Sequence, residues 1–306
     1  MKTLIENQTP SAKLISSQTF LNNILQKNGP DPEDYANLKR LVKDCHHLIK
    51  KDPNLLKEFR LNLAEVLTKE NILGWNYVKP YGYSGDFQII DDIYRKKVSS
   101  NPKFYKWDLF LNDFTAARAV RNRKTYFKNL LLKNTLAHEG TYQVLNVASG
   151  PARDLLEFLE ENPGVDIHFT CIELDVKAIA YAKNLLKNHL DKVTFIQQNI
   201  FRFRSTAQFD LVWSAGLFDY FEDSVFVRIF QRLLGNVKKN GAMVIGNFHP
   251  RNGSRPVMEI MGDWYLHHRT NAELEDLAQQ AGVAKEVICI EAEPEGVNLF
   301  LQVKYR

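Results

Sequence analysis

Cysteine is scarce in this chain: Cys45, Cys171 and Cys289 are the only three in 306 residues. They are far apart, odd in number and never arranged as Cys-x-x-Cys, which excludes a disulfide framework and a cysteine-ligated zinc site. Each sits among apolar neighbours and reads as a buried structural thiol. Charge of one sign is scarce too. The net charge is +4, from 40 basic and 36 acidic residues, whereas a dedicated nucleic-acid binder carries a concentrated basic face. One local cluster, Arg118–Lys128, reads as a solvated helix face, with anion binding as the lesser reading. Long hydrophobic runs are absent. None approaches the ~20 residues of a membrane span, and Met1–Lys13 lacks the apolar core of a signal peptide. The expectation is a cytoplasmic protein with no stable membrane association. No metal site is expected, because the neighbours His267 and His268 cannot both point one way on a strand.

What is present is ordinary globular composition, 44% hydrophobic and 25% charged, in a length that fits one large domain or one domain with a helical addition. Residues 1–140 read as mostly helical. Leu38, Leu41, Val42, Cys45, Leu48 and Ile49 recur at helical spacing. Asp52-Pro53 supplies a cap and a first-turn proline, and Leu55, Leu56, Phe59, Leu63 and Leu67 continue a second amphipathic helix. Lys79 to Asp86, with its glycines and proline, is a loop. A helix follows from Asp86, and a longer one runs from about Asp113 to Leu136.

From Tyr142 strands and helices alternate. Strands are expected at Gln143–Val147, His168–Ile172, Val193–Gln197, Phe209–Ser214, Ala242–Gly246, Glu286–Glu291 and Asn298–Tyr305. Helices are expected at Ala152–Glu161, Val176–His189, Ser224–Lys239 and Asn271–Ala281. This alternation implies a doubly wound α/β sheet. The last connection, Pro294-Glu295-Gly296, is too short for a parallel crossover and makes an antiparallel hairpin. The result is seven strands with one antiparallel.

The first strand ends in Asn146-Val147-Ala148-Ser149-Gly150-Pro151-Ala152-Arg153-Asp154. A tight turn there leads into a helix, and Gly150 lets the backbone approach a ligand. In an open α/β sheet ligands bind beyond the carboxyl ends of the strands. One glycine, where a dinucleotide fingerprint has three, gives no cradle for a pyrophosphate. The second strand ends in Glu173-Leu174-Asp175. Glu173, 23 residues past Gly150, can accept hydrogen bonds from ribose hydroxyls, or it is a surface glutamate. Asp175 reads as a helix cap. After the third strand, Asn199 bonds an adenine edge with Ile200 packed on the ring, or Asn199 is a turn residue.

This order of signals resembles the class I methyltransferases that use S-adenosylmethionine, over about Tyr142 to Arg306. The resemblance implies their seven-stranded Rossmann-like fold as residues 141–306, with the helical residues 1–140 as an N-terminal cap region. It implies S-adenosylmethionine as cofactor and S-adenosylhomocysteine as product. The cofactor contacts it suggests are Ala148, Ser149, Gly150, Asp154, Glu173, Leu174, Asn199, Ile200, Ser214 and Gly216. Asn146 replaces the usual acidic residue of the first motif, and Ala152 replaces its second glycine.

The fourth and fifth strands lead into Ser214-Ala215-Gly216-Leu217-Phe218-Asp219-Tyr220 and Gly246-Asn247-Phe248-His249-Pro250. Neither carries the Asn/Asp-Pro-Pro-Tyr or Phe signature of enzymes acting on nucleic-acid bases. The long segment Asn247–Thr270, with Arg251, Arg255, Met258, Met261, Asp263-Trp264, His267-His268 and Arg269, suits an amphipathic acceptor or is a packed lid. Tyr81 to Asp86, Ala119 to Arg123, Gly216 to Tyr220, Gly246 to Phe248 and Asp263 to Leu266 with Arg269-Thr270 resemble a bacterial subfamily. It includes enzymes forming 3-hydroxypalmitic acid methyl ester. The resemblance implies that the helical segment caps the cofactor site.

Methyl transfer from a sulfonium is an in-line displacement that rests on positioning and exclusion of water. A carboxylate acceptor needs no base but needs donors for orientation; Arg121, Arg269, Tyr83 and Asn247 are candidates. An amine or phenol needs a base, for which His249 is the candidate. Asp86 and Asp219 would orient an ammonium, and Tyr220 and Trp264 would contact the acceptor. Three readings follow: O-methylation of a fatty-acid-like carboxylic acid, N- or O-methylation in a specialised small-molecule pathway, and a non-catalytic S-adenosylmethionine-binding module. Residues 1–75 are open to two readings, a homodimer interface or a cover for the core.

Overall fold

The computed structural model describes residues 10–52 and 54–304. Pro53, expected to open a helix, and Tyr305, expected to end the last strand, lie outside the described residues, as do residues 1–9. Helices dominate the N-terminal part: α1 (Pro10–Gln26), α2 (Tyr35–Ile49), α3 (Asn54–Asn62), α4 (Ile72–Val78), α5 (Phe87–Tyr94) and α6 (Pro102–Asn112). Helix α2 buries Leu38, Val42 and Cys45, a stripe at the spacing of one helix face. Helix α3 is shorter than its periodicity suggested. Leu63 and Leu67 are buried, but in turns. Side chains set several starts: Asn71 Oδ1 accepts the Gly74 N–H at 2.8 Å ahead of α4, and Asp86 Oδ1 accepts the Ile89 N–H at 2.9 Å at α5. Such caps contribute about 1 kcal/mol each.

The remainder runs α7 (Thr115–Leu136), β1 (Tyr142–Val147), α8 (Arg153–Glu161), β2 (Ile167–Glu173), α9 (Val176–Leu185), β3 (Val193–Gln197), β4 (Phe209–Ser214), α10 (Asp223–Leu234), β5 (Val237–Phe248), α11 (Arg255–Ile260), α12 (Asn271–Gln280), β6 (Ile288–Ala292) and β7 (Asn298–Lys304). The seven strands lie in the order β3-β2-β1-β4-β5-β7-β6. Strands β1 to β5 pair in parallel, and β7 is antiparallel to both β5 and β6. The element pattern implied this sheet. The chain winds outward from β1 to β3 and returns to β4 on the other side, so the order reverses between β1 and β4, where an open α/β sheet forms its ligand crevice.

Both faces of the sheet are covered, and alternate side chains show it. Leu145, Val212, Met243, Ile245, Leu299 and Leu301 pack with Phe226, Ile229, Phe230 and Leu233 of α10 and Leu274 and Leu277 of α12. Val144, Leu211, Trp213, Val244 and Phe300 pack on the other side with Phe127 and Leu131 of α7 and Leu155 and Phe158 of α8. Trp213 and Phe127 stack at 4.3 Å between centroids. Truncating a buried aromatic of this kind costs about 3–5 kcal/mol.

Two compact units are present. One comprises the described residues through Ile89, Lys96–Phe114 and Ser254–Trp264; the other comprises Ile90–Arg95, Thr115–Gly253 and the described residues from Tyr265. This division differs from the expected boundary at residue 140, because α7 belongs with the sheet. The segment after β5 is also not one loop. Its residues 254–264, with α11, are part of the helical unit, where Arg60 donates to the Ile260 carbonyl at 2.7 Å and Asn76 donates to the Gly262 carbonyl at 2.6 Å.

Other differences have local causes. The sequence reading ran a helix to Lys239, whereas α10 ends at Leu234 and β5 begins at Val237. Val237 pairs with Phe209, and the register then shifts through Asn240, at φ 65°, so the Lys-Lys-Asn-Gly stretch is an irregularity inside a strand. Cys289 is exposed rather than buried, since its strand is the sheet edge. The basic face of α7 is not simply solvated: Lys124 and Lys128 pair with Glu157 at 2.5 and 3.2 Å, and Arg123 is buried. Among the described residues no helix is long and apolar enough to cross a membrane, and no group of three metal-ligating side chains is placed to hold an ion.

Candidate functional site

The loop after β1 has unusual backbone. Ala148, Gly150 and Ala152 have φ of 55°, 56° and 55°. An L-residue pays about 1–2 kcal/mol for the left-handed region, and glycine is free of that penalty. Ala152 stands where a second glycine was expected, yet the chain keeps the glycine-like conformation there. A Cβ at Gly150 would meet nothing within 4 Å, so the space before this loop is open and the positive φ alone selects glycine.

Glu173 ties this loop to the end of β2. Its Oε2 accepts the Gly150 N–H at 2.9 Å, and its Oε1 accepts the Leu174 and Asp175 N–H groups at 2.8 and 3.0 Å. Asp175 caps α9 through the Lys177 N–H at 2.8 Å. Beyond β3, Asn199 Oδ1 accepts the Phe201 N–H at 2.9 Å, which is the turn role considered for it. Ile200 is buried, while Leu174 and Phe201 stay exposed. Asn146 and Ser149 are buried. The Asn146 Nδ2 has no hydrogen-bond partner among the described residues, an unmet donor at the end of β1.

The ends of β4 and β5 are built differently. Ser214 is buried and donates its hydroxyl to the Val147 carbonyl at 3.1 Å, joining two strand ends. Asn247 is buried and donates to the Phe248 and His267 carbonyls, both at 3.0 Å. Arg269 is only 4% exposed, and all five of its N–H donors are engaged. They reach Asp223 at 2.8 and 3.0 Å, the Phe218 carbonyl at 3.2 Å, Asn247 Oδ1 at 3.0 Å and the Phe221 carbonyl. Its guanidinium also lies 5.0 Å from the Phe226 ring centroid. Arg269 and Asn247, both nominated to orient an acceptor, therefore have their donors occupied inside the protein.

Asp219 is 1% exposed and accepts the Phe248 N–H at 2.6 Å; burial pushes its carboxyl up to about 7. Tyr220 beside it is exposed. His249 Nδ1 accepts the Arg251 N–H at 3.0 Å, so the neutral ring carries its proton on Nε2. Burial, and then Arg251, hold its pKa below the ordinary histidine range. To act as a base through Nδ1 this ring has to give up the Arg251 hydrogen bond.

Helix α7 brings a residue that was overlooked. Arg123 is 6% exposed, and its Nε has no hydrogen-bond partner among the described residues. It donates through Nη1 to the Ala215 carbonyl at 3.4 Å. A Cβ on Gly216 would come within 2.9 Å of that same nitrogen, so glycine is what lets the turn after β4 lie against the guanidinium. Asp154, buried in the first turn of α8, is pushed up to about 6 by burial, with Arg123 acting against that rise. The signal was present: Arg123 falls in the stripe Ala116, Ala119, Val120, Phe127 and Leu131, a cation on an apolar helix face. Arg121, which was nominated instead, is half-buried and donates to the Ile93 carbonyl at 3.5 Å.

The sheet unit thus holds together the residues nominated from Ala148 to Gly216, with Arg121, Asp219, Tyr220, Asn247, His249 and Arg269. Tyr83, Asp86 and Trp264 belong to the helical unit. There Asp86 is buried and accepts the Trp75 indole N–H at 2.9 Å as well as capping α5. That leaves its carboxylate in a structural role.

The family described as "Methyltransferase domain" matches residues 138–298, just over half of the chain. No curated protein matches the sequence. Among solved structures, a possible exported protein from Bordetella parapertussis is similar at a TM-score of 0.62 and 15% identity, with 100% of this chain and 99% of that chain covered. The S-adenosylmethionine-dependent methyltransferase SibL, solved in its apo form, is similar at a TM-score of 0.51 and 13% identity, over 82% of this chain and 77% of that chain. Magnesium protoporphyrin IX methyltransferase from Synechocystis PCC 6803, solved with bound S-adenosylhomocysteine, gives a TM-score of 0.49 and 10% identity, over 63% of this chain and 87% of that chain. The first two are likenesses of fold.

Proposed function

This chain belongs to the methyltransferase-domain family, and on that premise we propose that it moves a methyl group from S-adenosylmethionine to a small-molecule acceptor, specifically by O-methylation of a carboxylic acid. The observation that carries the donor half is the Glu173 carboxylate, held by N–H groups from the loops after both β1 and β2.

The residues at this edge fit the donor. A carboxylate offers about four lone pairs, and three N–H groups use three of them here. One remains for a ribose hydroxyl; a grip on both hydroxyls requires the Gly150 N–H to release Oε2. Open space lies before Gly150, which suits the methionine portion. The exposed Leu174 and Phe201, with Ile200 beneath, suit the two faces of an adenine. The unmet Asn146 Nδ2 supplies a donor at the base of the loop. When bound, S-adenosylmethionine supplies an electrophilic methyl group on a sulfonium.

The acceptor reading follows from which side chains are already committed inside the protein. His249 has Nδ1 engaged by the Arg251 N–H, which disfavours it as the base that an amine or phenol needs. A carboxylate is already ionised at neutral pH and needs no base. Its requirement is a fixed cation, a part that Arg269, with every donor engaged inside the protein, does not play. The work of the protein is then to position the acceptor and exclude water.

The test is methyl transfer by the full chain from S-adenosylmethionine carrying a labelled methyl group. Panels of carboxylic acids of increasing chain length, amines and phenols are the acceptors. Label in a base-labile methyl ester is expected. Label confined to amines or phenols overturns the carboxylate assignment while keeping the donor.

A further inference from the structure

The loops assigned to the methyl donor each lead into a helix, α8 after β1 and α9 after β2. Both helices are bonded to one side chain of α5. Asp91 is fully buried. Its Oδ1 accepts the Arg153 Nε–H, and its Oδ2 accepts the Arg153 Nη2–H at 3.0 Å. Oδ2 also accepts the Tyr181 hydroxyl at 2.7 Å. The exposed Arg95 guanidinium stands 3.9 Å from that same oxygen. Arg153 is the first residue of α8, and Tyr181 lies midway along α9. Residues 90–95 belong to the same compact unit as both helices. A two-point fork fixes a guanidinium in plane and direction, so one carboxylate sets where α8 begins and ties it to α9.

Arg153 directly follows Ala152, the last of the three left-handed residues in the loop after β1. Left-handed alanine is a conformation that an unrestrained chain leaves, so this loop needs anchors. One anchor is the Glu173 carboxylate, which takes the Gly150 N–H at 2.9 Å. Glu173 is also the group assigned to the donor's ribose, and a grip on both hydroxyls costs it that N–H. The other anchor is Asp91. It holds the residue behind the loop while Glu173 turns to the ligand, and through Tyr181 it holds the helix that follows Glu173's own loop. We propose that Asp91, acting through Arg153 and Tyr181, is the positioning residue of the methyl-donor site. It keeps the loops after β1 and β2 in place while Glu173 exchanges its hold on Gly150 for the ribose.

A ligand that finds its loops already arranged is spared the cost of ordering them. With the tie through Asp91 cut, the two loops sample more conformations in the free protein, and binding then carries that ordering cost. The donor and its demethylated product share ribose and adenine, so both lose affinity by the same factor. The inference rests on S-adenosylmethionine being the donor.

Calorimetric titration of the full chain with S-adenosylmethionine and with S-adenosylhomocysteine tests it. One hydrogen bond is worth about two- to tenfold in an equilibrium. The Asp91→Asn protein loses the paired charge and the two-point fork, and should bind each ligand about tenfold more weakly. Tyr181→Phe removes one hydrogen bond, leaves the Asp91–Arg153 pair intact, and should weaken each ligand about fivefold. It carries the test if Asp91→Asn does not fold. Asp210→Asn is the control. Asp210 accepts the Gln143 N–H and the Lys238 ammonium, both at 2.8 Å, near the amino ends of β1 and β4. Its replacement should lower the unfolding temperature and leave both affinities within about twofold of wild type. Affinity within about twofold of wild type in a folded Asp91→Asn or Tyr181→Phe protein, loss confined to one ligand, or an equal loss in Asp210→Asn overturns the inference alone. A wild-type chain that binds neither ligand overturns the donor reading and this one with it.

Discussion

After β1 and β2 the backbone holds left-handed residues at Ala148, Gly150 and Ala152. A carboxylate there accepts only N–H groups, and apolar side chains face outward. After β4 and β5, Ser214, Asn247, Asp219 and Arg269 are buried and bonded to other parts of the protein. The first region holds strained backbone and leaves the Asn146 Nδ2 and a Glu173 lone pair unmet, although buried unmet groups also occur on the other side, at Arg123 Nε and Trp213 Nε1. The second is a mesh whose polar groups fix the shape of the edge. Polar residues at strand ends thus divide into those left partly unmet and those that hold the loops, and only their partners tell them apart.

The mesh should break hardest at Arg269. Replacing it by alanine strands Asn247 Oδ1 and the Phe218 and Phe221 carbonyls, each worth about 1 kcal/mol or more when buried and unmet. A loss of about 3 kcal/mol is expected in urea unfolding. A loss under about 1 kcal/mol would return Arg269 to the list of acceptor contacts. On the strained side, Ala148→Gly relieves a left-handed alanine on an exposed loop. A gain of about 0.5–1 kcal/mol is expected once the added entropy of the unfolded chain is subtracted; a loss in thermal unfolding would mean the loop is not strained in solution. The smallest effect belongs to His249. If Nδ1 is occupied and no base acts there, His249→Gln should change kcat by less than about threefold, whereas a positioned base contributes about 10²–10⁴-fold.

The sequence made one of these regions far more legible than the other. Gly150 and Glu173 left marks because backbone conformation restricts residue type and because strand ends recur at regular spacing. The seven strands were readable for the same reason, and β5 was misread at its start because an irregularity looks like the end of a helix. Arg269 and Asn247 gave no such mark. Whether an arginine fork is free depends on carbonyls at Phe218 and Phe221, about 50 residues away in the chain, and no local pattern encodes that. Arg123 lies between these cases. It was legible as a cation in an apolar stripe, but was passed over for Arg121.

The most direct test of the donor site is calorimetric binding of S-adenosylmethionine and S-adenosylhomocysteine to the wild-type chain and to Glu173→Ala. Micromolar binding to wild type, weakened by about tenfold or more in Glu173→Ala, is the expected result and corresponds to one or two good hydrogen bonds. Binding unchanged by the substitution, or no binding to wild type, would contradict the placement of the donor at the Gly150–Glu173 edge.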